Sequence, residues 1–384
     1  MITALAVENY RSLRHLVLPV ARLNVVTGVN GSGKSSLYRA LRLLADSARN
    51  GAVAALAREG GLASTLWAGS SGSGRSLRQG PPLVQGGDGQ RLLLGFAGDD
   101  FGYAIDLGVP TPATTMFGAD PEIKAEAVWA GPLLRPAALL ADRGASGSVR
   151  IRRDRGDWDR LPYFLKPFDS MLGEVADPQR APELLVLRER IRSWRFYDHL
   201  RTDERAPARA AQLGTRTPIL SHDGADLAAA LQTIREIGDD QAMNDAIGHA
   251  FPGSRVEIIG AGGHLQLTLR QRGLERPLRA AEVSDGTLRY LLWVAALLTP
   301  RPPELLVLNE PETSLHPDLI GPLADLIVAA SAHTQIIVVT HAQPLVAALE
   351  EGSAQLIELF KEDGRTLVAG QGLLDEPAWH WPKR

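Results

Sequence analysis

The run Gly28-Val29-Asn30-Gly31-Ser32-Gly33-Lys34-Ser35 has the spacing GxxxxGK[ST]. Glycines at 28, 31 and 33 let successive backbone N–H groups curl around a phosphate chain, a path that a side chain would obstruct. Lys34 is placed to reach the β- and γ-phosphates as a point charge, and the Ser35 hydroxyl to ligate Mg²⁺. Asn30, Gly31, Ser32 and Ser36 belong to the same nucleotide-binding turn. A Gly/Ser-rich turn can match such a pattern by chance, so context decides. Here an alternating apolar run, Leu23 to Thr27, precedes the loop, and a helical pattern from Ser35 to Asp46 follows it. Strand, loop and helix are in the order of a P-loop, with the positive end of the helix facing the anion.

A second group of polar residues lies far downstream. Leu305-Leu306-Val307-Leu308-Asn309-Glu310 reads as a buried strand with a polar end, the form of a Walker B strand. Asn309 occupies the position where an aspartate ordinarily supports Mg²⁺, so Ser35 and Asn309 are both assigned to the metal. Glu310 is the candidate general base or water-orienting carboxylate, because a water must be held in line with the γ-phosphate. An isolated glutamate at a strand end is usually a surface acid; the P-loop and the following Pro311-Glu312-Thr313-Ser314-Leu315-His316-Pro317 favour the catalytic assignment. Gln335 to Thr340 forms another buried strand and ends at His341. A lone histidine is usually structural, but the carboxyl end of a core parallel strand is where open α/β sheets bind ligands, so His341 is assigned to the γ-phosphate. Val283-Ser284-Asp285-Gly286-Thr287 opens the apolar helix Leu288 to Leu298, with Ser284 as its cap, which by itself describes an ordinary capped helix.

The elements that must carry these residues follow from periodicity. Thr3 to Val7, Leu16 to Leu18 and Leu23 to Val26 read as strands. Gly51 to Gly89 is dense in Gly, Ser and Pro, loop composition with little packing capacity and expected mobility. Arg91 to Phe96 and Phe101 to Leu107 flank Gly98-Asp99-Asp100 as a hairpin, and Glu122 to Trp129 and Ser148 to Arg153 extend an antiparallel subdomain. Leu161 to Ala250 has helical spacing, as in Glu183 to Trp194 and Asp226 to Ile237, and reads as a helical insertion. Residues 254 to 270 return to β alternation around Gly260-Ala261-Gly262-Gly263, and strands and helices alternate from Ser284 onward. The expected division is an N-terminal P-loop lobe with an antiparallel β subdomain over 1–160, a helical insertion over 161–250 and a C-terminal lobe over 251–384. No internal repeat and no sustained heptads are present, so a long coiled coil is not expected.

Composition narrows the chemistry. The 384 residues hold no cysteine, which excludes disulfides, thiol catalysis and thiolate zinc sites and fits a reducing compartment. The net charge of -3 announces no polyanion partner globally. Met1 to Leu5 lead into strand-like alternation, and the longest apolar run, Tyr290 to Leu298, is too short to cross a bilayer, so a cytoplasmic chain without membrane insertion is expected.

The order of these segments, P-loop, Ser-Asp-Gly-Thr before a helix, Asn-Glu-Pro-Glu-Thr-Ser-Leu-His-Pro and then Thr-His, resembles the ABC-type ATPases of the RecF, SMC and OLD group, in particular a bacterial predicted-ATPase family often labelled AAA. Asn9-Tyr10-Arg11-Ser12, Arg188 to Arg209, Ser221-His222-Asp223-Gly224 and the closing Pro377-Ala378-Trp379-His380-Trp381-Pro382 share that likeness, which spans essentially the whole chain. The resemblance implies an α/β P-loop NTPase of ABC-ATPase head type, a mixed sheet core with an antiparallel β subdomain and a helical insertion. It implies ATP and Mg²⁺ as ligands, and a homodimer in which each ATP lies between one P-loop and the partner's signature segment, Ser284, Asp285 and Gly286 acting in trans. It also makes Glu310 catalytic and His341 the switch histidine, makes Ser314 to Pro317 the D-loop, and puts Arg11 near the phosphates. Gln85 and Gln90 are positional candidates for the Q-loop. Two residues depart from the pattern: Asp285 stands where many ABC proteins have glycine, and Asn309 is neutral where an anion is expected.

The use of the ATP stays open among three classes. One is a nucleic-acid-associated ATPase acting in DNA repair, chromosome maintenance or phage defence; residues 150 to 209 hold 14 Lys or Arg against 11 Asp or Glu, with Trp158, Trp194, Phe196 and Tyr197 interleaved, which a solvated face and core aromatics explain equally well. The second is a regulatory ATPase that recruits an effector protein without binding DNA, favoured by the absence of another catalytic motif. The third is the ATPase subunit of a membrane transporter.

Overall fold

A computed structural model describes residues 1–49, 51–69, 91–110, 116–118, 120–153, 156–198, 200–372 and 375–383. The chain divides into two compact units that interleave in sequence: Met1–Ala21, Gly28–Ser193 and Ile357–Arg384 form the first, and Arg22–Thr27 with Trp194–Leu356 the second. This division cuts across the boundaries at 160 and 250 expected from the order of helical and strand patterns. Those patterns report local periodicity, whereas the units are defined by which segments pack together.

In the first unit, β1 (Ile2–Tyr10), β2 (Leu13–Pro19), β4 (Arg91–Gly98), β5 (Phe101–Gly108), β6 (Glu122–Ala130), β7 (Leu139–Gly144), β8 (Ser148–Arg152) and β9 (Trp158–Phe164) form an antiparallel sheet in the order β2-β1-β4-β5-β6-β7-β8-β9. The hairpin expected around Gly98-Asp99-Asp100 is β4–β5, with Leu94 opposite Ile105. Helix α1 (Lys34–Ser47) turns Leu37, Leu41 and Leu44 inward, the spacing of one helical face. The segment after it differs from expectation. Within the Gly-rich stretch that reads as loop, α2 (Ala52–Arg58) and α3 (Leu62–Thr65) bury Ala52, Leu56, Leu62 and Thr65. A few small apolar residues at helical spacing suffice for such short turns, and composition averaged over a long window hides them. The rest of that stretch, from Ser70 to Gln90 and including Gln85 and Gln90, lies outside the described residues. α4 (Met171–Glu174), α5 (Pro182–Ser193) and the antiparallel β17 (Gln355–Glu362) and β18 (Arg365–Val368) complete the elements named for this part.

Small residues on the sheet make room for large ones. Ala4, Ala97, Ala104 and Ala127 cluster with Trp129, and Trp379 and Trp381 pack against that cluster. A Cβ at Gly95 would stand 2.6 Å from the Trp379 ring, and one at Gly102 would stand 2.1 Å from Trp129. The opposite face of the same strands carries a fully buried ionic network. Glu126 accepts from Tyr103 Oη (2.7 Å), Ser170 Oγ (2.6 Å), the Met171 amide (2.8 Å) and Arg143 Nη1 (3.3 Å), and Arg143 Nη2 also donates to Lys166 O (2.7 Å). Desolvation, followed by the Glu126 charge, pushes the Tyr103 hydroxyl well above its ordinary pKa, so the phenol stays a donor.

The second unit is α/β. The strands β10 (Arg195–Tyr197), β15 (Leu305–Asn309), β16 (Gln335–Val339) and β3 (Leu23–Thr27) lie parallel in that order. All but their ends are buried, as continuous apolar runs in a parallel sheet require. β10 lies in the region of helical spacing and was not expected from it: three residues are too few to show a period, and only pairing with Leu306–Leu308 makes them a strand. α8 (Asp285–Leu297), α9 (Ile320–Ser331) and α10 (Gln343–Glu351) alternate with the strands, and Tyr290 to Leu297 is a buried helical segment, as its length suggested. α6 (Leu227–Ile237) and α7 (Asp240–Ala250) pack with the smaller antiparallel set β11 (Gln212–Leu213), β12 (Arg255–Ala261), β13 (His264–Arg270) and β14 (Leu278–Arg279). Among the described residues, no helix is long and apolar enough to cross a membrane.

The Glu126 network gives a stability test. Arg143→Met leaves a buried carboxylate without its counter-charge, at a cost of about 3–5 kcal/mol. Chemical unfolding should show a clear drop in the midpoint; an unchanged midpoint would mean that Glu126 needs only its neutral donors.

Candidate functional site

The P-loop leaves β3 at Thr27 and is braced from the hairpin β17–β18. Gly28 has φ +143° and Gly33 φ +115°, and a Cβ at these positions would stand 2.1 Å from Leu359 O and 2.2 Å from Thr366 Oγ1. Glycine is needed here both for the backbone angle and for the close approach of a second strand. Thr366 Oγ1 donates to Ser32 O (2.8 Å) and lies 2.8 Å from Ser12 Oγ, while its amide donates to Ser12 O (2.8 Å). The loop is thus held from behind, and its concave side carries the chemistry. Lys34 Nζ donates to Gly28 O (2.5 Å) and Val29 O (3.2 Å), which draws the ammonium across the turn. α1 has Gly33 in left-handed conformation at its N-cap, no side-chain cap and no acidic residue in its first turn, so the partial positive charge of its end is uncompensated. Ser32 Oγ is buried without a hydrogen-bond partner. Asn30, Gly31 and Ser35 are exposed and Ser36 is half-buried. These are the features of an anion site.

Arg11 behaves otherwise. Its guanidinium pairs with Glu59, Nε at 3.1 Å, and Tyr10 Oη donates to the same carboxylate at 2.9 Å. It is Ser12, the next residue, that reaches the P-loop brace.

In the second unit the strand ends are level. Asn309 lies opposite Val339, which lies opposite Val26, and the Thr340 amide donates to Val26 O (3.0 Å). The residues that follow β15 and β16 therefore emerge at one edge, beside the strand whose chain continues into Gly28. Glu310 has φ +48°, a costly conformation for a side chain of its size, and its amide donates to Val339 O (2.7 Å). That bond and the turn it makes bring the carboxylate to His341, whose Nδ1 is 3.3 Å from Glu310 Oε1. Glu312 returns beneath them. Its Oε1 accepts from Thr340 Oγ1 (2.5 Å) and lies 3.9 Å from His341 Nδ1, while Oε2 is buried with no partner. Trp293 Nε1 ties the loop to α8 through Pro311 O (2.9 Å). The arrangement has a half-exposed carboxylate, a histidine that can orient it, and a buried second carboxylate.

The signature segment is built separately in the same unit. Ser284 caps α8 by accepting from the Thr287 amide (3.2 Å). Asp285 is held by Arg209 Nη2 at 2.5 Å, and the same guanidinium reaches Ala280 O (2.9 Å), Val283 O (2.8 Å) and Thr202 O (2.8 Å). A Cβ at Gly286 would stand 3.1 Å from Ser314 O, so the start of α8 and the Ser314 turn approach each other closely.

With this geometry in view, comparison with known proteins is decisive on one point. Residues 23–112 and 135–348 match the family described as "AAA domain, putative AbiEii toxin, Type IV TA system". The chain belongs to this AAA-domain family. Among solved structures, this AAA protein is similar to an SMC head bound to the C-terminal winged-helix domain of ScpA, at 16% identity over 97% of this chain and 98% of that one, with a TM-score of 0.52. An SMC head domain from Thermotoga maritima matches at 14% identity over 97% of this chain and 99% of that one, with a TM-score of 0.43. No curated protein matches it in sequence. The AAA protein is a P-loop nucleotide-binding α/β chain with the fold of an SMC head.

Three residues of this constellation carry no role in the sequence reading. Glu312 stands in a motif already singled out, two residues after Glu310, but its burial under Thr340 is a product of the turn. Arg209 lies at the end of the segment Arg188 to Arg209, and only the fold brings it to Asp285. Thr366 has no sequence signal. Conversely, the motif Ser221-His222-Asp223-Gly224 is structural: His222 Nδ1 is 3.1 Å from Phe196 O, and Ser221 Oγ donates to Asp226 Oδ1 (2.6 Å) to set the turn before α6.

Gly33→Ala tests the brace on the P-loop. The added Cβ collides with Thr366 in a backbone conformation already unfavourable to alanine, by about 1–3 kcal/mol. Nucleotide titration followed by thermal shift should show affinity reduced by about tenfold; undiminished affinity would mean that the loop does not need its contact with β18.

Proposed function

We propose that this AAA protein is a Mg²⁺-dependent ATPase that closes into a homodimer around ATP. The observation that carries the reading is the Glu310–His341 pair at the carboxyl edge of β15 and β16, level with the strand that runs into the P-loop. Gly28 to Ser36 take the phosphates, with Lys34 on the β- and γ-phosphates. Glu310 holds the attacking water and accepts its proton; His341 steadies that carboxylate and contacts the γ-phosphate. Ser284, Asp285 and Gly286 serve the partner's nucleotide, and Arg209 holds them rigid for that contact. The Arg209–Asp285 pair supports a preformed signature, since it is made within the chain itself.

Ser35 and Asn309 are the residues assigned to Mg²⁺. Their hydroxyl and amide oxygens are hard donors of the kind this ion takes. When bound, Mg²⁺ would screen the charge that develops on the phosphate oxygens. The use of the cycle is DNA repair, chromosome maintenance or phage defence, a reading supported by the SMC-head fold and by membership of a family that includes a putative AbiEii toxin. Arg11, paired with Glu59 in this structure, is the further residue assigned to the neighbourhood of the phosphates.

Glu310→Gln should retain ATP binding, lose hydrolysis by about 10²-fold or more and form a more persistent dimer in ATP, measured by phosphate release and light scattering; unchanged turnover would remove Glu310 from its role. For Asn309→Asp, turnover should rise or the Mg²⁺ requirement sharpen in a metal titration. Indifference would show that Asn309 is simply accommodated.

A further inference from the structure

One side of the antiparallel sheet holds a cavity of about 700 Å³ that the ATP reading does not use. Its wall includes the closing segment of the chain, whose Trp-His-Trp motif has no place in the P-loop chemistry. The reason the segment lies there is the floor of alanine and glycine already described. Trp379 inserts edge-on against the buried Trp129, centroids 5.7 Å apart, and Trp381 in turn stands edge-on to Trp379 at 5.2 Å. This ladder fixes the last indole, and Trp381 remains half-buried on the cavity wall. It is an aromatic surface held in place before any ligand arrives.

The charge around it is one-sided. Two of the lining arginines are matched inside the wall: Arg143 by Glu126 (3.3 Å) and Arg150 by Asp142 (Nε to Oδ1, 2.8 Å). Glu126 and Asp142 are the acidic residues of the lining, and both are thereby used. Arg135, Arg160 and Lys383 also line the cavity, are exposed and have no ion-pair partner among the described residues. A fixed indole beside surplus cations suits a ligand with a flat π-face at one end and an anion at the other. The volume falls in the ordinary range for small-molecule sites, about 300–1,000 Å³.

We propose that this cavity is a binding site for a nucleoside phosphate, with the base stacked on Trp381 and the phosphate held by Arg135, Arg160 and Lys383. The same chemistry is offered by a free mononucleotide and by the 5′-phosphorylated end of a nucleic acid strand. The site is independent of the P-loop and does not rest on the ATPase reading.

The test uses the full chain carrying Lys34→Ala, so that phosphate binding at the P-loop is removed. Calorimetric titrations compare AMP with adenosine, and a 5′-phosphorylated hexadeoxyadenylate with its unphosphorylated form. We expect at least one phosphorylated probe to bind saturably, its unphosphorylated counterpart to bind more weakly, and affinity to fall as salt rises. Trp381→Ala and the double variant Arg135→Gln with Arg160→Gln should each weaken binding by roughly tenfold or more. The double variant alters exposed side chains alone, so it remains informative if Trp381→Ala disturbs the closing segment. Binding of AMP alone identifies a small-molecule site, and binding of the phosphorylated strand alone identifies a strand-end site. The proposal is overturned if neither phosphorylated probe binds, if the double variant binds them as tightly as the parent, or if an oligoglutamate peptide binds in their place.

Discussion

The register of three parallel strands is the constraint on which the candidate chemistry depends. Because Asn309, Val339 and Val26 are aligned across β15, β16 and β3, the residues that follow the first two strands emerge together. A slip of one residue would turn each strand's side chains to the opposite face and separate Glu310 from His341. The strands resist such a slip because they are buried on both sides; every apolar residue from Leu305 to Leu308 and from Ile336 to Val339 has a packed environment to lose. The left-handed turn at Glu310 is tolerated in this setting because its amide is bonded to the neighbouring strand and Pro311 is tied to Trp293.

Polar satisfaction follows the same logic at other places. Arg209 ends its guanidinium on the carbonyls of Thr202, Asp203, Ala280, Ala281 and Val283 and on the Asp285 carboxylate, which ties the segment ahead of α8 to the Thr202 turn. The Asp285 charge is thereby matched within the chain. Glu126 and Arg143 solve a comparable problem inside the antiparallel sheet, where four donors surround a carboxylate shielded from water. In both cases arginine supplies several donors in a fixed fork, which a lysine could not do.

Much of the strand-end site was legible because its residues lie in short, contiguous motifs. The P-loop demands glycine at positions where the backbone is left-handed or closely approached, and Gly28 and Gly33 meet both conditions. The hairpin at Gly98, the helix α1 and the strands β15 and β16 were visible through period and turn chemistry. Less legible were β10, too short for a period, and α2 and α3, diluted by the surrounding glycine and serine. The pairing of Arg11 with Glu59 joins residues that no motif links.

The sequence by itself determined the kinds of chemistry available, the strands and helices that carry them, and the absence of thiol chemistry, because those depend on residue type and local spacing. Only the tertiary structure decided that Glu312 lies buried beneath His341, that Arg209 closes on Asp285, that Thr366 braces the P-loop, and that the closing tryptophans line a cation-rich cavity. Each of these joins residues far apart in the chain. No local pattern encodes such a meeting, since it arises from the packing of whole elements and from the need to satisfy every buried polar group at once.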